Sequence, residues 1–150
     1  HCHTRRQRQM CIRDRGWCVG AKPEGGRSLN RPINILEKNA DKKKIWRSYV
    51  NNQLKSKYSK LFDQLDSLLY LKAKNFKLLK RWRLKQEKKL KMKSGTKKNS
   101  KIMNEREVET FMMTYQRITQ NMFKNAPKYS SAVIDLNENH QIKKVKFKNA

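Results

Sequence analysis

Hydrophobic positions recur every three or four residues in two long stretches, which is the period of an amphipathic helix. The first stretch begins at Asp41, and its apolar stripe consists of Trp46, Val50, Leu54, Tyr58, Leu61 and Leu65. The second follows Asn104, and its stripe consists of Val108, Phe111, Met112, Tyr115, Ile118, Met122 and Phe123. Asn104 and Glu107 match a capping box, which predicts that a helix begins there.

A third helix is predicted over 75–92, NFKLLKRWRLKQEKKLKM, between these two stretches. Phe76, Leu79 and Trp82 lie near one face of this helix, and Lys or Arg occupies the other. The segment 93–101, KSGTKKNSK, is charged and contains Gly and Ser, so we predict a mobile loop there.

Short apolar runs alternate with the predicted helices. The run 67–73, SLLYLKA, is typical of an interior parallel strand, and 16–21, GWCVGA, suits the end of a buried strand that leads into a loop over 22–34. The segments 130–136 and 141–147, separated by a polar turn, are predicted as two strands or as a strand and a tail. This alternation predicts an α/β fold in layers with a mostly parallel sheet.

The first fifteen residues have a different origin from the rest in our interpretation. Residues 5–14, RRQRQMCIRD, are the translation of CGT CGG CAG CGT CAG ATG TGT ATA AGA GAC, which resembles the transposase adapter used in sequencing-library preparation. We therefore interpret 1–15 as translated adapter and exclude it from fold reasoning. The expectation that follows is that 16–150 is the C-terminal part of a longer protein.

A metal site in the same segment is disfavoured by its spacing. The potential ligands are His1, Cys2, His3, Cys11 and Cys18, but no CxxC pair is present. We predict no metal ligands in this chain. Cys18 is the one cysteine outside 1–15, which indicates no disulfide framework and a reducing compartment.

The net charge of the chain limits the classes of binding partner but does not identify one. The chain has 38 basic and 12 acidic residues, a net charge of +26. Such a field attracts nucleic acid, anionic lipid or phosphorylated small molecules. Outside 1–15, Lys greatly outnumbers Arg, and Lys is a point charge without the planar fork used for base recognition, so solvated helix faces are the simpler interpretation. No apolar run is long enough to span a bilayer, so we predict no membrane partner and a cytoplasmic protein.

Two clusters contain residue types suited to binding an anion. In the helix 75–92, Glu87 lies one turn after Arg83 and would orient its guanidinium toward a phosphate. The alternative is that Trp82 packs in the core while its charged neighbours are solvated. Tyr115 and Arg117 would contact a hydroxyl and a negative group of a substrate, although Tyr115 also belongs to the apolar stripe. The sequence contains no GxxxxGK[ST] or GxGxxG motif and no Ser-His-Asp arrangement.

The order of motifs resembles a known kinase group. The segments are, in order, GWCVGAKP, LNRPINILE, WRSYVNNQLKSKYSKLF, SLLYLKA, FKLLKRWRLKQE and MNEREVETFMMTYQRIT. Over 16–147 this order is similar to the C-terminal half of the P-loop kinases grouped with D-glycerate 3-kinase, in the phosphoribulokinase and uridine kinase-like branch. The most specific parts are the Gly-Trp turn, the WRxxQE helix and the helix that contains Met103, Glu107, Val108, Phe111 and Tyr115.

The resemblance implies a three-layer P-loop NTPase-type fold and a role for each cluster. It implies a kinase that transfers the ATP γ-phosphoryl group, with Mg²⁺, to a hydroxyl of a small, glycerate-like metabolite. The WRxxQE helix and the loop after it would form a lid, in which Arg81, Arg83 and Lys85 contact ATP and Arg83 is catalytic. Tyr115 and Arg117 would bind the substrate. The phosphate-binding loop and the principal ATP and Mg²⁺ ligands would lie upstream, so we expect this fragment to be inactive alone.

Two positions depart from the group's pattern. An acidic residue usually precedes the Gly-Trp turn, but Arg15 stands there, which the adapter interpretation explains. TYQRIT also differs from the Pro-containing stretch common after that Tyr, which leaves the acceptor open. The alternative from another class is a basic helical module that binds RNA or DNA, and such modules need exposed aromatic platforms or Arg readout.

Overall fold

The computed structural model describes residues 14–94 and 102–148 as a helix-rich α/β fold. The elements in chain order are α1 Gly26–Leu29, α2 Ile35–Ala40, α3 Ile45–Gln53, a π-helical segment Leu54–Tyr58, α4 Ser59–Phe62, β1 Leu69–Lys72, α5 Phe76–Ser94, α6 Glu105–Tyr129, β2 Ala132–Leu136 and β3 Ile142–Phe147. Most of the interpreted adapter and most of the predicted loop 93–101 lie outside the described residues. In the described ranges, no helix is long and apolar enough to cross a membrane.

The sheet is mixed. Its order is β1-β2-β3, with β1 parallel to β2 and β3 antiparallel to β2. The expectation of a mostly parallel sheet is therefore wrong for the described residues, because a tight polar turn, in which Asn137 accepts hydrogen bonds from the backbone of Asn139 and Gln141, returns the chain directly. β1 is parallel as predicted, but it is an edge strand of this sheet and not an interior one.

The capping box of α6 is confirmed. The Asn104 side chain accepts a hydrogen bond from the Glu107 backbone at 3.0 Å, and Glu107 Oε2 accepts one from the Asn104 backbone at 2.7 Å. The predicted stripe of α6 faces inward, with Val108 and Met122 buried. Burial of this stripe accounts for the long helix despite the Pro127 near its end.

The helical stretch after Asp41 is less regular than its stripe predicts. The π-helical segment Leu54–Tyr58 interrupts it, and such a segment rotates the residues that follow relative to those before. Leu54 is buried, but beyond it Phe62, and not Leu61, packs against the core. The prediction of one continuous inward-facing stripe over this stretch is therefore wrong.

The segment 16–21 forms a turn and not the end of a strand. Gly20 has φ +75°, and a Cβ at this position would lie 2.6 Å from the Cδ2 atom of Leu68. The turn places Ala21 in the core with Leu54, Met122 and Ala126. The apolar residues of 16–21 therefore form a turn whose last two residues, Gly20 and Ala21, are buried.

Candidate functional site

A buried arginine on α6 holds the segment between the turn and α2. Arg117 Nε and Nη2 donate to the two carboxylate oxygens of Glu37 at 2.7 and 2.6 Å. Its Nη1 donates to Glu24 at 3.1 Å and to the Ser28 carbonyl at 3.3 Å, and Nη2 also donates to the Arg31 carbonyl at 2.8 Å. These five contacts use all five N–H donors of the guanidinium. Arg117 therefore fixes this segment and has no donor left for a ligand.

The environment of Glu37 favours its ionised form. Burial alone would raise the pKa of this carboxyl, but the hydrogen bonds from Arg117 and from the Ile33 backbone outweigh it, and the pKa is lowered. Asn34 caps α2 and donates to the Met113 carbonyl and the Gln116 amide oxygen on α6. α2 is thus held against α6 by an ion pair and by an amide.

A second buried arginine lies nearby on α3. Arg47 Nε donates to the Leu29 carbonyl at 2.7 Å, and Nη1 donates to the Asp41 carbonyl at 2.7 Å and to Asp41 Oδ2 at 3.2 Å. Among the described residues, Nη2 has no acceptor. Although only 4% of Arg47 is exposed, it keeps two N–H donors free for a ligand.

Asp41 keeps Arg47 in this orientation. Burial alone would raise the pKa of Asp41, but hydrogen bonds from the Trp46 and Arg47 backbone and the charge of Arg47 lower it. Sequence reasoning missed Arg47, Asp41, Glu24 and Glu37. The sequence offered one signal for Arg47. It directly follows Trp46 of the apolar stripe, and a basic side chain near the buried side of a helix is usually paired with an acidic group.

A cavity of about 410 Å³ lies between α2, α3 and α6. Its walls include Trp17, Trp46 and Tyr115, and its polar lining includes Arg47 and Arg117. The rings of Trp17 and Tyr115 meet edge to face at 4.7 Å. This mixture of aromatic walls and a few convergent polar groups is typical of a small-molecule site.

The predicted catalytic residue is connected to this cavity through one aromatic ring. The guanidinium carbon of Arg83 lies 5.4 Å from the centroid of the Phe111 ring, and Phe111 in turn contacts Tyr115 at 4.7 Å. Arg83 also pairs with Glu87 at 2.5 Å and with Gln86 at 2.7 Å. Glu87 is buried and accepts a hydrogen bond from the Met103 backbone at 3.2 Å. The ion pair of Arg83 with Glu87, predicted from their spacing, is therefore present.

The other two predicted nucleotide contacts do not join this arrangement. Arg81 forms an exposed ion pair with Glu138 at 3.2 Å, and Lys85 is exposed. Trp82 does not pack in the core in the way its stripe suggests; it stacks on His140 at 4.0 Å and donates to the Glu138 carbonyl. The structure thus brings Arg83, Tyr115 and Arg117 into one region and places Arg81 and Lys85 outside it.

Comparison with solved structures identifies a similar architecture. Over 88% of its length, the chain superposes on D-glycerate 3-kinase from Cryptococcus neoformans var. grubii serotype A with a TM-score of 0.65 and 20% sequence identity. The two chains share a fold over this region. It spans 47% of that kinase's length, so about half of that protein has no counterpart here. No family model matches the sequence, and no curated protein sequence matches it.

One described side chain is suited to the phosphates of a nucleotide. Arg83 offers a preoriented guanidinium, which suits the negative charge of ATP, whereas Arg81 is paired with Glu138 and Lys85 lies outside this region. In the part of the chain that the structure describes, no three His, Cys, Asp or Glu side chains lie close enough together to hold a metal ion by themselves. The Mg²⁺ that accompanies ATP takes most of its ligands from phosphate oxygens and water, with one or two carboxylates.

Proposed function

We propose that the chain is the C-terminal part of an ATP-dependent small-molecule kinase of the P-loop NTPase type. In this proposal the enzyme transfers the ATP γ-phosphoryl group to a hydroxyl of a small, glycerate-like metabolite. The fold similarity over 88% of the chain is the observation that carries the proposal, because it covers nearly all of the described elements. ATP and Mg²⁺ would be held mainly by an upstream phosphate-binding loop.

The cavity beside α6 would receive the acceptor molecule. Tyr115 lies on its wall, and the free Nη2 group of Arg47 would donate to a carboxylate or hydroxyl of the acceptor. Arg117 would act as a positioning residue, because all of its donors already hold the segment that carries Glu24 and Glu37. The sequence predicted that Arg117 binds the substrate directly. In this proposal it acts on the substrate only by positioning the segment that it holds.

α5 would act at the nucleotide. Arg83 would approach the γ-phosphoryl group and offset the negative charge that spreads over its oxygens during transfer. Glu87 would keep the guanidinium aligned, since it is buried and also anchored to the Met103 backbone. Phe111 contacts both Arg83 and Tyr115, so it would couple the nucleotide side to the acceptor side.

The test is phosphoryl transfer by a longer polypeptide that includes the upstream coding sequence of the natural gene. We expect it to consume ATP with a small hydroxy acid, such as D-glycerate, and we expect the 150-residue chain to show no activity above background. A panel of hydroxy acids and sugars would identify the acceptor. Absence of transfer to every member of the panel by a folded, ATP-binding polypeptide would reject the proposal.

One observation favours the second candidate, a nucleic-acid-binding module. Trp46 and Tyr49 are 61% and 56% exposed, and their rings stack at 6.2 Å with an interplanar angle of 27°. They follow Lys42, Lys43 and Lys44, so a basic segment adjoins an exposed aromatic pair. Such a pair can stack with bases of a single strand. We rank this candidate second because Trp46 also lines the cavity beside α6.

A further inference from the structure

The turn between β2 and β3 is closed by its own hydrogen bonds. Asn137 Oδ1 accepts from the backbone of Asn139 and Gln141, both at 2.9 Å, and the Asn137 amide donates to the Gln141 side chain at 3.0 Å. His140 has φ +64°, a left-handed conformation that costs free energy for a residue with a Cβ. Residues held in such a conformation cluster at functional sites. We call 137–141 the β2–β3 turn.

The β2–β3 turn contacts α5 through Trp82. The rings of His140 and Trp82 stack with their centroids 4.0 Å apart and an interplanar angle of 28°, and Trp82 Nε1 donates to the Glu138 carbonyl at 2.8 Å. The Glu138 carboxylate also pairs with Arg81, but both side chains are more than half exposed, so this ion pair adds little. The ring stack and the indole hydrogen bond therefore carry the contact.

The orientation of Trp82 determines where Arg83 points. Successive side chains of an α-helix are about 100° apart around its axis, so Trp82 and Arg83 face different sides of α5. Trp82 faces the β2–β3 turn, whereas the guanidinium carbon of Arg83 lies 5.4 Å from the centroid of the Phe111 ring on α6. α5 is thus held from two sides. The contact at Trp82 fixes the rotation about the helix axis that aims Arg83.

The β2–β3 turn and the beginning of α5 lie at the same edge of the sheet. β1 and β2 are parallel neighbours, so their carboxyl ends lie side by side. α5 follows the carboxyl end of β1, and the β2–β3 turn follows that of β2. Open α/β sheets bind their ligands outside this edge. The contact at Trp82 is therefore on the side of the sheet where a nucleotide would bind.

We propose that the β2–β3 turn positions Arg83 for phosphoryl transfer, with His140 acting as a positioning residue through Trp82. The inference rests on the proposed function, since it concerns the side chain that would approach the γ-phosphoryl group. His140 itself would not touch ATP. A misplacement of about 1 Å at a catalytic group can lower a rate about 10²-fold, so a small rotation of α5 is enough to change kcat.

Fluorescence of Trp82 tests the contact in the 150-residue chain. Trp17→Phe and Trp46→Phe leave Trp82 as the one tryptophan. His140→Gly removes the ring and also suits a positive φ, so the turn should stay folded. We expect it to raise the acrylamide quenching constant about twofold, because one face of the indole loses its cover, while His140→Phe stays close to the parent. Equal quenching of His140→Gly and the parent would overturn the proposal.

The kcat of the longer polypeptide tests the consequence for transfer. His140→Gly should lower kcat about tenfold or more with little change in melting temperature or in the KM for ATP, and His140→Phe should restore most of the rate. Lys143→Ala, on the exposed strand β3, is the control and should be silent. A normal kcat for His140→Gly would overturn the proposal while the kinase function stands. No transfer by the parent would instead reject the proposed function, and the role of the turn with it.

Discussion

Arg117 and Glu37 form a two-point ion pair between α6 and α2, with N–O distances of 2.7 and 2.6 Å, although the residues are 80 positions apart in sequence. Each side chain is about 10% exposed. The pair fixes one wall of the cavity, because the same guanidinium also holds Glu24 and the backbone of Ser28 and Arg31. The shape of the candidate acceptor site thus depends on a residue that would not contact the acceptor.

Arg117→Ala should lower the free energy of unfolding by about 3–5 kcal/mol, since it leaves Glu37 buried and uncompensated. Arg117→Lys should recover only part of this loss, because a single ammonium cannot reproduce five directed hydrogen bonds. The control is Arg106→Ala on the exposed first turn of α6, which should change stability by less than about 0.5 kcal/mol. Urea titration followed by circular dichroism measures all three, and equal stabilities for Arg117→Ala and Arg106→Ala would contradict the structural role.

Stability should fall in acid because of Glu37. Its pKa in the folded protein is lowered from the ordinary 4.5, so its contribution is complete above that value and is lost as the pH falls through the lower, folded-state pKa. Glu37→Gln should be less stable than the parent near neutral pH, and the difference should shrink below pH 4.5. Melting temperatures across this range test the prediction, and a difference that does not vary with pH would count against it.

The sequence predicted local features better than relations between distant segments. The helix after Asn104 has its capping box and stripe, and the two C-terminal strands form as expected, because spacing within a few residues determines both. The roles of Trp82 and Arg117 were not predictable in this way, since His140 and Glu37 meet them only after folding. The π-helical segment also carries no simple signal, because its apolar letters fit an uninterrupted helix.

Alkaline pH should destabilise the chain through Tyr70. Burial, followed by the nearby Tyr129, raises the pKa of Tyr70 from 10.0 to about 12. A raised pKa in the folded state stabilises the protein below pH 10, and this contribution is lost between pH 10 and about 12. Tyr70→Phe should remove the part of the stability loss at alkaline pH that is due to ionisation of this side chain. Tyrosinate absorbance of folded and urea-unfolded protein measures the shift, and coincident titrations of the two would exclude it.

Binding to nucleic acid should be non-specific. Lysine-driven contacts release counterions, so the affinity should fall steeply with salt and depend little on sequence. We expect that the rings of Trp46 and Tyr49 do not stack with bases. Trp46→Ala and Tyr49→Ala should therefore change the affinity for single-stranded DNA by less than about twofold. Fluorescence anisotropy at increasing salt measures both effects. Sequence-selective submicromolar binding that persists at about 0.3 M salt and is lost in Trp46→Ala would place the second candidate first.

The effect of Arg83→Ala on kcat in the longer polypeptide tests the central proposal most directly. If Arg83 stabilises the transferring phosphoryl group, its removal should lower kcat by about 10²–10³, with a smaller effect on the KM for ATP. Arg83→Lys should recover part of the loss, and Lys88→Ala, on the exposed side of the same helix, should be nearly silent. Arg83→Ala should also lower the melting temperature, because it leaves the buried Glu87 without its ion-pair partner, so kcat is compared at a temperature at which all variants are folded. Lys88→Ala should keep the parent's melting temperature within about 2 °C. A normal kcat for Arg83→Ala, or a loss matched by unfolding, would contradict the proposed role of α5 in phosphoryl transfer.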